Sequence, residues 1–131
     1  MTFTSTRPLS SRRELPLGAL HRRLSGDVAR PGEPGYAAAT PWNVAVPVTP
    51  RAVVAVASAE DVAETVRFAR RHGLRVAVQR TGHGAVPVDD GTLLVHTGRL
   101  DSCTVSVAER TARVGAGATW QQVLDLSLIH I

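Results

Sequence analysis

Between residues 52 and 80 the hydrophobic pattern changes twice, and each stretch predicts a different element. Ala52 to Ala57 (AVVAVA) is an unbroken run of small apolar residues, with the length and character of a strand buried on both faces. Ser58 then opens a Ser-x-x-Asp start that resembles a capping box with Asp in place of Glu, and Val62, Val66 and Ala69 follow at helical spacing. Gly73 stands at the position of a helix-ending glycine and Leu74 can pack back over the last turn, so the pattern predicts a helix over 58–73. Arg75 to Arg80 (RVAVQR) alternates as a strand does. The result is a strand, helix, strand unit, with a right-handed crossover if its strands are parallel.

Downstream, Thr92 to His96 is a further strand after the turn Asp89-Asp90-Gly91. Cys103 to Val107 and Thr111 to Val114 form a predicted hairpin across Ala108-Glu109-Arg110. Gly115-Ala116-Gly117-Ala118 reads as a tight turn, and Thr119 with Gln122 as a second capping box, opening a helix through Val123, Leu124 and Leu126. Upstream, a short helix is expected over Glu14 to Leu24, closed by Gly26 in the left-handed conformation. Residues 30 to 50 hold prolines at 31, 34, 41, 47 and 50 and read as extended and irregular. The predicted fold class is α+β, a mixed sheet flanked by helices. Residues 1–23 read as a flexible leader with the short helix, 24–126 as the body, and 127–131 as an atypical, non-native ending.

Composition narrows the function. At 131 residues, 44% apolar and 20% charged, the chain is one globular domain with a real core. The net charge of +4 comes from arginine alone, since there is no lysine, and the arginines are scattered. With only 4% aromatic residues there is no stacking platform, so no nucleic-acid partner is expected. Cys103 is the only cysteine and reads as a strand residue. Ser11-Arg12-Arg13 superficially resembles an export signal, but His21, Arg22 and Arg23 cut short the apolar stretch that should follow. No run reaches transmembrane length, and the expectation is a cytoplasmic protein with no membrane partner.

Little of the chain carries recognisable chemistry. His21, His72, His83, His96 and His130 lack paired ligand spacing, so no metal site is expected. GAGATW follows a strand and opens a helix, but Trp120 stands where a dinucleotide fingerprint needs its third glycine, so this is read as a plain turn. QRTGHGA, residues 79–85, is different. Gly82 and Gly84 bare the backbone on either side of His83, which suits a nest of N–H groups for an anion or a flat ligand. Arg80 could add a charge-assisted contact, and a neutral imidazole nitrogen is a competent nucleophile. On these residues alone, a glycine-rich turn with a solvated histidine is the favoured reading.

The wider setting adds a resemblance. Pro50-Arg51-Ala52-Val53-Val54, Glu60-Asp61-Val62, Val66-Arg67-Phe68-Ala69-Arg70, His72-Gly73-Leu74, the strand to Arg80, Gly82-His83 and Thr97-Gly98-Arg99-Leu100 follow one another in order. This succession resembles the FAD-binding domain of the vanillyl-alcohol oxidase and p-cresol methylhydroxylase superfamily. Upstream, Gly26-Asp27-Val28, Pro34-Gly35-Tyr36 and Trp42-Asn43 look like its berberine-bridge branch of bacterial FAD-linked oxidases. The resemblance implies FAD as cofactor, with His83 matching the histidine commonly attached to the 8α carbon of the flavin. It also implies that Arg80, Thr81, Gly82, Gly84 and Ala85 form the loop whose backbone meets the cofactor. Two positions depart from the family loop: Thr81 puts a Cβ where backbone freedom is needed, and Gly84 lacks a side-chain oxygen.

By that resemblance the chain is the N-terminal piece of a longer FAD-dependent oxidoreductase, inactive by itself, with no catalytic residue of its own. The full enzyme would oxidise an alcohol, sugar or secondary metabolite and pass electrons to molecular oxygen. The alternative is a non-catalytic α+β module whose glycine loop holds a nucleotide or anion.

Overall fold

In the computed structural model of this chain, residues 13–129 are described. Residues 1–12 of the expected leader and the last two residues of the atypical ending lie outside them. Helix α1 (Leu17–His21) is followed by strand β1 (Asp27–Ala29), a 3-10 turn (Tyr36–Ala39) and β2 (Ala52–Ala55). Then come α2 (Ala59–Arg71), β3 (Arg75–Gln79), β4 (Thr92–His96), the β5–β6 hairpin (Cys103–Ser106, Thr111–Val114) and α3 (Trp120–Ile129).

The main sheet runs in the order β1-β2-β4-β3. β2, β4 and β3 are parallel and β1 pairs antiparallel with β2, so the sheet is mixed, as the pattern predicted. β4 lies in the middle, with Thr92 to Val95 buried; an apolar run needs cover on both faces, and it has it. On one face Val54, Val56, Leu93 and Val95 pack with Leu17 and Leu20 of α1 and Phe68 and Ala69 of α2. On the other, Val53 and Leu94 pack against Ala39, Tyr36 and Val48. At the edge, β3 leaves Val78 exposed. Among the described residues no helix is long and apolar enough to cross a membrane.

α2 forms where the capping signals place it. The Ser58 hydroxyl accepts the Asp61 amide, Glu60 and Asp61 sit in the first turn, and Arg70 and Arg71 in the last complement the helix dipole. The chain leaves through Gly73 at φ +66, and the Leu74 amide donates to the Ala69 carbonyl at 2.9 Å. At α3 the second capping box is also present: the Thr119 amide donates to Gln122 Oε1 at 2.6 Å and the Gln122 amide to Thr119 Oγ1 at 3.4 Å.

Three local expectations need correcting. The first helix is shorter than 14–24, because Pro16 stands at its N-cap and the chain has turned away by Arg22. Gly26 is not in the left-handed region; what requires glycine there is proximity, since a Cβ would fall 1.9 Å from the Ala55 carbonyl oxygen. The proline-rich segment is not wholly extended, because Gly35 at φ +93 leads into the 3-10 turn.

Asp61 joins these parts. Its carboxylate is buried and accepts the backbone amides of Ser25, Gly26 and Ala57 at 2.9, 2.9 and 2.8 Å. Burial opposes the charge, but the Ala57, Ser25 and Gly26 amides outweigh it and hold the carboxyl below its ordinary value of 3.8. The segment between α1 and β1 is thereby fastened to the turn between β2 and α2. Asp61→Ala strands three amide donors and is expected to cost about 3 kcal/mol in urea unfolding. Because the folded pKa is depressed, Asp61's contribution is complete above 3.8 and is lost as pH falls through the folded pKa, so the variant should flatten acid unfolding in that range.

Candidate functional site

Because β2, β3 and β4 are parallel, their carboxyl ends meet on one rim of the sheet, which is where open α/β sheets take their ligands. β3 runs out into Arg80–Ala85 and β4 into Thr97–Leu100, and the Gly115–Ala118 turn lies against both. Gln79 and His96, the last residues of β3 and β4, are paired in register, and each is a polar end following apolar residues.

Gln79 fixes the exit of β3. It is buried, and its amide Nε2 donates to the carbonyls of Ala38 and Ala39 at 3.2 and 3.1 Å. Three residues on, Gly82 takes φ +73, and a Cβ there would stand 2.9 Å from Pro41 Cα. The Trp42 amide donates to the Gly82 carbonyl at 3.3 Å, and the Trp42 indole lies against the His83 ring with centroids 4.7 Å apart and planes inclined by 35°. The loop is thus held from beneath while His83 and Gly84 face outward. The Ala85 amide turns back to the Gly82 carbonyl, but the amides of Thr81, Gly82, His83 and Gly84 find no acceptor among the described residues. A cavity of about 330 Å³ opens beside them, lined by Gln79, Arg80, Gly82, His83, Ala85 and Leu94 among others.

The neighbouring loops are tied closely to this one. Arg80 Nε donates to the Gly117 carbonyl at 2.8 Å, so part of its guanidinium is committed to the rim itself. The Gly117 amide donates to the Leu100 carbonyl at 2.9 Å, and Thr97 Oγ1 to the Ala116 carbonyl at 3.1 Å. A Cβ on Gly117 would fall 2.0 Å from the Thr97 carbonyl oxygen. The GAGA segment, read from sequence as a plain turn, is therefore a close-packed wall of the rim.

All six residues singled out from the sequence, Arg80, Thr81, Gly82, His83, Gly84 and Ala85, lie together on this loop. Sequence reasoning missed Gln79, His96 and Thr97 as its supports; the available signal was a polar residue closing each of two strands just after apolar residues. The concern over Thr81 is answered by geometry, because the left-handed residue is Gly82 and not Thr81. Gly84 has neither a positive φ nor any atom within 4 Å of a Cβ built on it. His21 and His72 are elsewhere: His21 lies 3.6 Å from Asp27 and His72 stacks on Phe68. Among the described residues no three metal-ligating side chains come together. A wider hollow of about 1010 Å³ at the opposite end of the strands includes Arg51 and Asp89, whose nearest polar partners are the Asp90 carbonyl and Arg75.

Fold and rim together define an α+β cofactor-binding domain. Residues 50–127 match the FAD binding domain family, and the chain belongs to it, with FAD as its cofactor. Over 121 residues the chain is 30% identical to an FAD-dependent monooxygenase of Penicillium roqueforti, covering 88% of this chain and 24% of that protein. It is also 30% identical to (R)-6-hydroxynicotine oxidase of Paenarthrobacter nicotinovorans, over 72% of this chain and 21% of that one. The chain thus spans about a quarter of the length of these curated relatives. Among solved structures, 6-hydroxy-D-nicotine oxidase from Arthrobacter nicotinovorans superposes with a TM-score of 0.70 at 26% identity, over 80% of this chain and 24% of that one. A berberine-bridge-like protein of Physcomitrella patens does so at 0.71 and 25% identity, over 87% and 26%.

The two loop glycines should respond differently to substitution. Gly82→Ala combines a strained φ with a clash against backbone and is expected to lower stability by about 2 kcal/mol, whereas Gly84→Ala should stay within about 0.5 kcal/mol of the parent. Urea midpoints of the two variants, measured side by side, check this ordering.

Proposed function

We propose that this chain forms the first part of the flavin domain of an FAD-dependent oxidoreductase, and that the Arg80–Ala85 loop receives the cofactor. The observation that carries the reading is the set of four open amides flanking His83 on the carboxyl rim of the parallel strands. Such amides, supported by a nearby arginine, suit the diphosphate of FAD. Gly82 and Gly84 let the backbone approach the ligand closely, and Arg80 keeps the loop against Gly117 while lending its charge. His83, exposed at the loop tip with its ring resting on Trp42, is the attachment point for the flavin in this reading.

When bound, FAD accepts a hydride equivalent from substrate and passes its electrons on. In this reading the substrate is an alcohol, sugar or secondary metabolite, the acceptor is molecular oxygen, and the protein works in the cytoplasm. The relatives named as a monooxygenase and a hydroxynicotine oxidase support the reaction class. The chain spans about a quarter of these relatives, and in this reading its own residues hold and orient the cofactor while substrate is met by residues outside it. Alone, the chain should show little turnover.

The test is made on the full-length protein carrying this chain. Purified protein should be yellow, and the colour should stay with the pellet after acid precipitation. His83→Ala should release it into the supernatant or lose it. Folded full-length protein without flavin would sink the reading, and acid-labile flavin in the parent would remove the attachment role of His83.

A further inference from the structure

β4 is buried and apolar as far as Val95 and then ends in a histidine. The ring of His96 lies between backbone groups of two different loops. Nε2 is 3.0 Å from the carbonyl oxygen of Arg80, and Nδ1 accepts the Gly98 amide at 3.3 Å. A carbonyl only accepts and an amide N–H only donates, so this arrangement requires a neutral ring with its proton on Nε2. The ring is also closely packed, since a Cβ on Gly98 would stand 2.7 Å from its Cε1.

We propose that His96 is a proton-operated clasp on the cofactor rim. Neutral, it ties the exit of β3 to the loop leaving β4; protonated, it lets that loop go. Its bearing on the cofactor rests on the reading of Arg80–Ala85 as the FAD loop.

A proton on Nδ1 would face the Gly98 N–H, and the amide would lose its acceptor. The loop it anchors is the one that holds the rest of the rim. Its Thr97 amide donates to the Gln79 carbonyl at 3.1 Å, Thr97 Oγ1 reaches the Ala116 carbonyl, and the Leu100 carbonyl accepts the Gly117 amide. Gly117 in turn accepts Arg80 Nε. Loosening Gly98 therefore reaches Arg80 by two routes, through the ring itself and through Gly117.

Burial, more than the charged surroundings, favours the neutral ring. Burial comes first in disfavouring the cation; the Arg80 carbonyl favours it, the Arg80 guanidinium opposes it, and the pKa lies below the ordinary 6.5. Arg99, on the same loop, is engaged with Asp27 at 3.3 Å, and the Gly115–Ala118 turn brings no charged side chain. For a base with a depressed folded pKa, the stabilising contribution is complete above 6.5 and declines as pH falls from there toward the folded value. The clasp thus opens on the acid side of neutrality.

The test uses full-length protein with isotope-labelled histidine, amide hydrogen exchange corrected for intrinsic rates, and the non-titrating variant His96→Gln. At about pH 7.5 the His96 ring should be in the Nε2–H form, and it should protonate with a midpoint below 6.5. Exchange over residues 97–100 should rise about tenfold with the same midpoint, and the visible circular dichroism of bound flavin should follow it. In His96→Gln, whose side-chain amide can donate to Arg80 and accept from Gly98, the exchange profile should be flat. A neutral ring carrying its proton on Nδ1, a midpoint at or above 6.5, or an exchange step unchanged in His96→Gln overturns the proposal. So does a bound-flavin signal indifferent to the step. If His96→Gln fails to fold, the wild-type tautomer and the coincidence of the midpoints decide. Protein that binds no flavin at about pH 7.5 refutes the cofactor reading instead, and the ring and exchange data, which need no flavin, still judge the clasp.

Discussion

Where three parallel strands stop on one rim, their last backbone groups have no further strand to bond with and need other partners. In this chain each of the three exits is served by a polar side chain. Asp61 accepts the Ala57 amide just past β2, Gln79 bonds the carbonyls preceding Pro41 from the end of β3, and His96 spans Arg80 and Gly98 at the end of β4. No described buried side-chain nitrogen or oxygen is left without a partner. The loops that leave this rim inherit their positions from these three groups, so the site is shaped by polar satisfaction as much as by the apolar core.

The two roles are separated in space. The apolar clusters lie between the strands and α1, α2 and the 3-10 turn, well back from the rim. The rim is built from close backbone contacts that tolerate no side chain, as at Gly117, and from hydrogen bonds to carbonyl groups. Packing of this kind fixes positions closely and contributes little area, so the rim depends on the core for stability and returns the precision that a cofactor loop needs.

Much of the fold was legible in the sequence because local signals and tertiary demands agree. α2 has its Ser58 cap, its apolar stripe and its Gly73 exit, and β4 has the continuous apolar run of a central strand. β1 was missed, since three residues of an antiparallel edge carry too little periodicity to be seen, and the 3-10 turn was hidden among prolines. The loop Arg80–Ala85 could be picked out by composition, but its geometry could not. That Gly82, and not Thr81, takes the left-handed conformation depends on Pro41, some forty positions away, and on where Gln79 directs the chain. The GAGA segment is the tight turn its sequence predicts, but its packing was not legible there, because its glycines answer to the Thr97–Leu100 loop, a neighbour that only the folded chain provides.

Trp42 and Pro41 support the histidine loop from below, and nothing touches a Cβ built at position 84. The shape of the loop and the chemistry it displays are therefore separable inheritances. Positions beneath the loop are answerable to the fold and can change only together. Position 84, on top, is answerable to whatever binds there, and a side chain added at it would leave the scaffold undisturbed. A side chain at position 84 would therefore bear on what the loop presents to a ligand and not on whether the loop forms.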